Sequence, residues 1–243
     1  MRLLIKYPTR GRPENFFEAL QNIEDTISTN DYSVLVTADV NDPSMNNFEV
    51  LAKVLHAYQN VFIAYDTQVS KVDAINRRMD VAEKMKWDWS VVMSDDQKFM
   101  VEGWDCEMLN LIKRIWGDST DFFAHFSDNY TCEKLPTLNV CGREYYDRDG
   151  FFYHPSYGSV SCDAENMWVA MMRGKYHYFP EVFFHHVHPG NIATLPTDET
   201  YRGNDKFGDA DTRNYFERMK HYFYVENPVM IPEQLQKEIN SLT

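Results

Sequence analysis

Long apolar runs are missing from this chain of 243 residues. None approaches the roughly 20 residues that a membrane span requires. The apolar start, Met1 to Ile5, gives way at once to Lys6, Arg10 and Arg12, so it lacks the h-region of a signal peptide. Cysteine is scarce. Cys106, Cys132, Cys141 and Cys162 form no C-x-x-C pair, and the expectation is free thiols in a reducing, cytoplasmic setting. Glycine and proline stand at 10 each, too few for a low-complexity or fibrous chain. Positive charge is also short, with 24 Lys and Arg against 37 Asp and Glu and a formal net charge of −13. That balance argues against a protein held to nucleic acid by bulk charge, while a local basic groove built from Arg143, Arg148, Arg173 and Lys175 remains open.

Several catalytic signatures are absent too. There is no G-x-x-x-x-G-K-[ST] phosphate loop, no G-x-G-x-x-G after a strand, no G-x-S-x-G elbow and no H-E-x-x-H helix. What is present is a globular composition, 44% hydrophobic and 25% charged, with aromatics at 15%. So many aromatics imply either a large aromatic core or aromatic-lined clefts.

Strand and helix alternate through the first 117 residues. Leu3 to Tyr7, Tyr32 to Ala38, Val61 to Tyr65 and Trp89 to Met93 read as buried strands, and Phe122 to Phe126 as a fifth. Glu14 to Ser28, Phe48 to Tyr58, Val72 to Lys86 and Val101 to Trp116 read as helices between them. This alternation predicts an α/β domain with a mostly parallel, twisted sheet and helices on both faces. Leu135 to Tyr157 is irregular and Tyr176 to Val187 is extended. Cys162 to Arg173, Asp209 to Tyr224 and Pro232 to Ser241 are helical, and Pro189 to Phe207 reads as a mobile loop. No repeat or linker divides the chain. One domain is expected, with a nucleotide-binding half over 1–117, an acceptor and metal half over 118–225, and a helical tail over 226–243.

Ligands of such sheets bind beyond the carboxyl ends of the strands. Ser94-Asp95-Asp96-Gln97 follows one strand. Two carboxylates there suit a hard cation such as Mg²⁺ or Mn²⁺, or else simply cap a turn. His185-His186-Val187-His188 follows another apolar stretch. In extended chain His186 and His188 share a face, as two metal ligands or as part of an aromatic-polar cluster. Asp163 and Glu165 open a helix, where a carboxylate is either a cap or a base aimed into a cleft.

These segments, taken in order, resemble a GT-A-fold, family-2-like nucleotide-sugar glycosyltransferase. Pro8-Thr9-Arg10-Gly11-Arg12-Pro13 resembles the P-T-R-x-R-P stretch that starts the nucleotide site, and Ala38-Asp39 is similar to the acid that contacts uracil or ribose. Ser70-Lys71-Val72-Asp73-Ala74-Ile75-Asn76 is similar to the helix start that touches the nucleotide. Ser94-Asp95-Asp96-Gln97 with Glu102-Gly103-Trp104 resembles the D-x-D region and its downstream P-G-W, with Ser94 in the first acidic position. Asp163-Ala164-Glu165 resembles the E-D-x-D motif, with Cys162 in place of its Glu. His186-Val187-His188-Pro189 resembles the late metal histidine, and Asp198-Glu199-Thr200-Tyr201-Arg202 the loop that closes over the diphosphate.

The resemblance implies a metal-dependent enzyme moving a sugar from a nucleotide-sugar donor, UDP-linked, to an acceptor hydroxyl with inversion. Asp96, His186 and His188 would hold Mn²⁺ or Mg²⁺. Thr9, Arg10, Asp39, Lys71, Asn76, Asp95 and Arg202 would line the nucleotide site, and Asp163 or Glu165 would be the base. The acceptor would be a glycan or, as in small phage-type enzymes, a hydroxymethylated DNA base. A nucleotidyltransferase, a metal hydrolase and a non-catalytic nucleotide-sugar-binding module are the rival readings.

Overall fold

The computed structural model of the chain describes residues 1–187, 202–203 and 206–242. Its first part runs β1 (Leu3–Thr9), α1 (Pro13–Thr26), β2 (Tyr32–Asp39), α2 (Phe48–Ala57), β3 (Val61–Asp66), α3 (Lys71–Asn76), α4 (Met79–Glu83), β4 (Trp89–Val92), β5 (Gln97–Phe99) and α5 (Trp104–Trp116). Its second part runs β6 (Phe123–Ser127), β7 (Asn139–Gly142), α6 (Arg143–Asp147), α7 (Cys162–Met172), β8 (Tyr176–Val182), β9 (Phe184–His186), α8 (Gly208–Lys220) and α9 (Glu233–Ser241).

Seven strands form one sheet in the order β3-β2-β1-β4-β7-β6-β8. β3, β2, β1 and β4 are mutually parallel, and β6 is parallel to β8. β7 runs antiparallel to both β4 and β6. All eight residues of β2 and all four of β4 are buried, as expected of strands covered on both faces. Alternate side chains divide between two cores. Leu3, Ile5, Tyr7, Val34, Val36 and Val91 pack with α1, α2 and α5 on one face. Leu4, Leu35 and Val92 pack with α3, α4, α6 and part of α7 on the other. Each such aliphatic side chain contributes about 1.5–3 kcal/mol by leaving water.

Local signals set the helix starts. Pro13 occupies the first turn of α1, where its missing N–H costs nothing. Asn47 caps α2 by accepting from Val50 N at 3.0 Å, and Ser70 caps α3 by accepting from Asp73 N at 3.1 Å.

The sequence-based helix Val72 to Lys86 is broken in two. Arg78 stands at φ 62°, and its guanidinium donates to Tyr65 O at 3.0 Å, so α4 starts on a new axis. The irregular stretch after Leu135 contains β7 and α6. β7 is held in the middle of the sheet by a close approach at Gly142, where a Cβ would stand 2.1 Å from Thr120 O. The helix expected to reach Tyr224 stops at Lys220, and Tyr222, Phe223 and Tyr224 all have positive φ.

α7 is buried nearly all round. Cys162 and Ala170 join the sheet-side core, while Met167, Trp168 and Met172 pack with Met219, Phe223, Leu235 and Ile239. No helix among the described residues is long and apolar enough to cross a membrane.

Candidate active site

A pocket opens at the carboxyl ends of β1 and β4. It is lined by Pro8, Lys71, Ser94, Gln97, Thr137, Tyr153, Cys162, Asp163 and His186. Local rules bring three of these residues there. Lys71 opens α3 just after its Ser70 cap, Ser94 follows β4, and Asp163 lies in the first turn of α7.

The turn after β4 closes on itself. Gln97 Oε1 accepts from Ser94 N at 3.0 Å, and Ser94 Oγ donates to Asp96. Gln97 Nε2 donates to Thr137 O at 2.7 Å, tying the turn to the segment before β7. β5 leaves this turn and pairs antiparallel with β9, placing Gln97 opposite His186 and Phe99 opposite Phe184. Phe99 stacks flat on Trp104 with ring centres 3.7 Å apart, which anchors the two-stranded ribbon in the core. Val187 N donates to Asp96 O at 2.7 Å. The ribbon therefore carries His186 to Asp96, with Nε2 3.5 Å from Oδ2.

Burial alone would raise the pKa of Asp96. The hydrogen bond and charge of His186, the charge of Lys71 and the Ser94 hydroxyl outweigh it and hold the carboxyl well below the usual range. Asp128, on the turn after β6, lies on the other side of the imidazole, with Oδ2 4.0 Å from His186 Nδ1. Burial again acts to raise this carboxyl, and the N–H groups of Tyr130 and Thr131 with the hydroxyls of Thr137 and Thr131 bring it below its ordinary value.

Asp163 accepts from Ala164 N at 2.9 Å. The helix N-terminus predicts a depressed carboxyl, yet burial pushes Asp163 up despite that bond and the charges of Lys71 and His186. Two residues on, Glu165 faces the opposite way. Both of its oxygens accept from Arg218 at 2.8 Å, and Oε2 also accepts from Tyr157 OH at 2.6 Å. Only 3% of Glu165 is exposed, so this carboxylate is committed to joining α7 and α8.

Asp39, 2% exposed at the end of β2, lies 3.5 Å from the guanidinium of the exposed Arg10 and accepts from Asn41 N at 2.9 Å. Thr9 is buried beside them, its Oγ1 without a hydrogen bond among the described residues. Gly11, at φ 71°, donates its N–H to Asp42 Oδ2 at 2.6 Å, which fixes the first loop against the second. Asp95 is bound at 2.9 Å by Arg12, both nearly buried.

Asn76 does not reach this cluster. Its side chain donates to Tyr153 O at 2.6 Å and accepts from Phe152 N at 2.9 Å, while Asn139 and Asn166 donate to Phe152 O. Asn76 thus holds the 152–153 backbone. Arg202 is exposed, and His188 with most of the loop Asn191 to Lys206 lies outside the described residues. No group of three or more His, Cys, Asp or Glu arranged for a metal occurs among the described residues. Asp96 and His186 are one carboxylate and one imidazole at adjacent-ligand separation. That donor set fits Mg²⁺ or Mn²⁺ completed by substrate phosphate oxygens.

The basic residues expected to form a groove are each neutralised. Arg143 meets Glu83 and Asp147, Arg148 and Lys175 meet Asp121, and Arg173 meets Asp149, all within 2.6–2.8 Å.

No family model and no curated protein matches this sequence. Solved structures do. The mannosyltransferase PcManGT from Pyrobaculum calidifontis, in complex with GDP-Man and Mn²⁺, matches with a TM-score of 0.67 at 13% identity, over 98% of this chain and 67% of that one. The fold is of the GT-A glycosyltransferase type. S. aureus TarS in complex with UDP-GlcNAc matches with a TM-score of 0.66 at 9% identity, over 99% of this chain and 71% of that one. TarS in complex with UDP gives 0.60 at 10% identity, over 93% and 76%. In this GT-A-type chain, Asp128 and Arg218 are polar groups around the site that pattern reading passed over. Asp128 was findable, because it stands beyond the carboxyl end of a strand like the residues that reading did single out.

Proposed function

We propose that this chain is a metal-dependent glycosyltransferase acting on a nucleotide-sugar donor. The carrying observation is the convergence of His186, Lys71 and Asp163 on one pocket at the carboxyl ends of β1 and β4, with Asp96 3.5 Å from His186. It supports the reading because the fold is that of PcManGT, whose structure contains GDP-Man and Mn²⁺. Asp96 and His186, together with diphosphate oxygens, would hold Mn²⁺ or Mg²⁺, which supplies the positive charge that a departing nucleoside diphosphate requires. His188 is the further candidate ligand.

Lys71 places a second cation beside the leaving group. Thr9, Arg10 and Asp39 stand where the nucleoside would lie, and the Arg12 bond turns Asp95 into a support for that loop. Asp163 is the base. Its raised pKa makes it a stronger proton acceptor than an ordinary carboxylate, and Glu165 is engaged by Arg218 and Tyr157. An acceptor hydroxyl at Asp163 gives up its proton as its oxygen attacks the anomeric carbon and the bond to diphosphate breaks. One direct displacement inverts the configuration. The donor is read as UDP-linked, and Arg202 is read as a diphosphate contact.

The acceptor is read as a glycan rather than a DNA base. The net charge of −13 and the ion-paired Arg143, Arg148, Arg173 and Lys175 favour that choice. Four free cysteines fit a cytoplasmic setting.

The test is a screen of UDP- and GDP-sugars for turnover with Mn²⁺ and with excess chelator, on wild type and Asp96→Asn. Turnover should require metal, and the variant should lose it while keeping its circular dichroism and melting temperature. Full activity in chelator, or in Asp96→Asn, would sink the reading.

A further inference from the structure

Asp128 is a fully buried carboxylate that the mechanism above does not use. Its two oxygens have separate tasks. Oδ1 organises the turn after β6, accepting from Tyr130 N at 2.9 Å, Thr131 N at 2.7 Å, Thr131 Oγ1 at 3.0 Å and Cys132 N at 3.3 Å. A turn cap needs no more than that one oxygen. Oδ2 accepts from Thr137 Oγ1 at 3.0 Å and lies 4.0 Å from Nδ1 of His186. The imidazole is thus bracketed, with the Asp96 carboxylate at Nε2 and the Asp128 carboxylate at Nδ1.

A neutral imidazole carries its proton on one nitrogen and its lone pair on the other. Without a cation the nearer Asp96 carboxylate favours a proton on Nε2; with a cation between Nε2 and Asp96, Nε2 would offer its lone pair, and the acceptor-only carboxylate beside Nδ1 would favour the Nδ1–H form. A shift of about 1 Å would close the 4.0 Å separation to an ordinary hydrogen bond. Metal-ligating histidines are commonly oriented in this way by a group on their second nitrogen.

We propose that Asp128 is a positioning residue that takes the Nδ1–H of His186 when Nε2 serves as a metal ligand next to Asp96. The proposal rests on the metal reading given above. Thr137 steadies Asp128 through its hydroxyl and, through its carbonyl, holds Gln97 in the Asp96 turn. The two carboxylates that flank His186 are therefore tied to one threonine.

Asp128→Asn separates the two tasks. The amide oxygen can take over the turn bonds of Oδ1, while the amide nitrogen replaces the acceptor that faced Nδ1 with a donor. Two measurements follow, both independent of turnover. Long-range ¹H–¹⁵N correlation spectra of the protein saturated with diamagnetic Mg²⁺, assigned against His186→Gln, report the tautomer. Electron paramagnetic resonance during titration with Mn²⁺ alone reports affinity. Wild type should show the Nδ1–H form. Asp128→Asn should move toward the Nε2–H form and bind Mn²⁺ about 10- to 100-fold more weakly.

A wild-type His186 already in the Nε2–H form overturns the proposal, and that reading needs no variant should Asp128→Asn fail to fold. An unchanged tautomer and affinity in a folded Asp128→Asn overturns the role of Asp128 and leaves the metal reading standing. A wild-type protein that takes up no Mn²⁺ sinks both.

Discussion

The segments before and after Trp116 solve the same problem in different ways. Before it, β1 to β4 are short apolar runs that join in parallel through crossovers, and the polar groups at their ends are placed by their own strands. After it, placement is long-range. β7 inserts antiparallel between β4 and β6, β9 returns to pair with β5, and α7 is pinned to α8 through Glu165 and Arg218. The comparison teaches that Thr9, Asp39 and Ser94, at or just beyond the ends of β1, β2 and β4, are placed largely by local geometry. Asp163 combines a local position in the first turn of α7 with the packing that holds that helix, and His186 depends on the pairing of β5 with β9.

The sharpest way to break that contrast is Asp163→Asn. General-base catalysis is worth about a hundred- to ten-thousand-fold, so the rate of transfer should fall by that factor while nucleotide affinity holds, since the donor contacts lie elsewhere. In wild type the rate should fall as pH is lowered through the raised pKa of Asp163, where the carboxylate is lost, and this limb should vanish in the variant. A variant with near-normal transfer would move the base out of α7.

Glu165→Gln should affect stability instead. It leaves the Arg218 charge, now nearly buried, without its carboxylate, at a cost of about 3 kcal/mol by urea unfolding. Turnover per folded molecule should stay within a few-fold. Lost turnover with unchanged stability would exchange the roles of the two acids.

The smallest effect is expected in the first region. Lys6 is fully buried on β1 and donates to Thr37 Oγ1 at 2.7 Å and Ala74 O at 3.3 Å, with no carboxylate beside it among its hydrogen-bond partners. Burial pushes its pKa well below the ordinary value. Between that lowered pKa and the unfolded value of about 10.4, the unfolded chain binds a proton that the folded chain does not, so stability rises with pH across the window. Lys6→Met keeps the Thr37 bond to Ala74 O, removes this slope and should gain about 1 kcal/mol at neutral pH, read as a higher urea midpoint. A pH slope that survives the substitution would assign it to another group.

Much of the fold was legible because buried parallel strands are apolar without interruption, as in β2 and β4. β7 escaped because Asn139-Val140-Cys141-Gly142 is too short to carry a period, and its pairing depends on Gly142 fitting against Thr120. The helix break at Arg78 has no proline or glycine to announce it. In the site, Asp96, Lys71, Asp163 and His186 were legible as residues beyond strands or at helix starts. The tasks of Asn76 and Glu165 were not, because each depends on a partner far along the chain: Phe152 with Tyr153 for one, Arg218 for the other.

The ribbon of β5 and β9 has a consequence for how the molecule is made. Asp96 and His186 meet only when β5 pairs with β9, a strand far later in the sequence. Closing so long a loop is entropically costly and is repaid only after the intervening strands are in place. A growing chain can therefore emerge through β1 to β4, with Thr9, Asp39 and Lys71, well before His186 exists to face Asp96. The meeting of Asp96 with His186 must wait until β9 has been made.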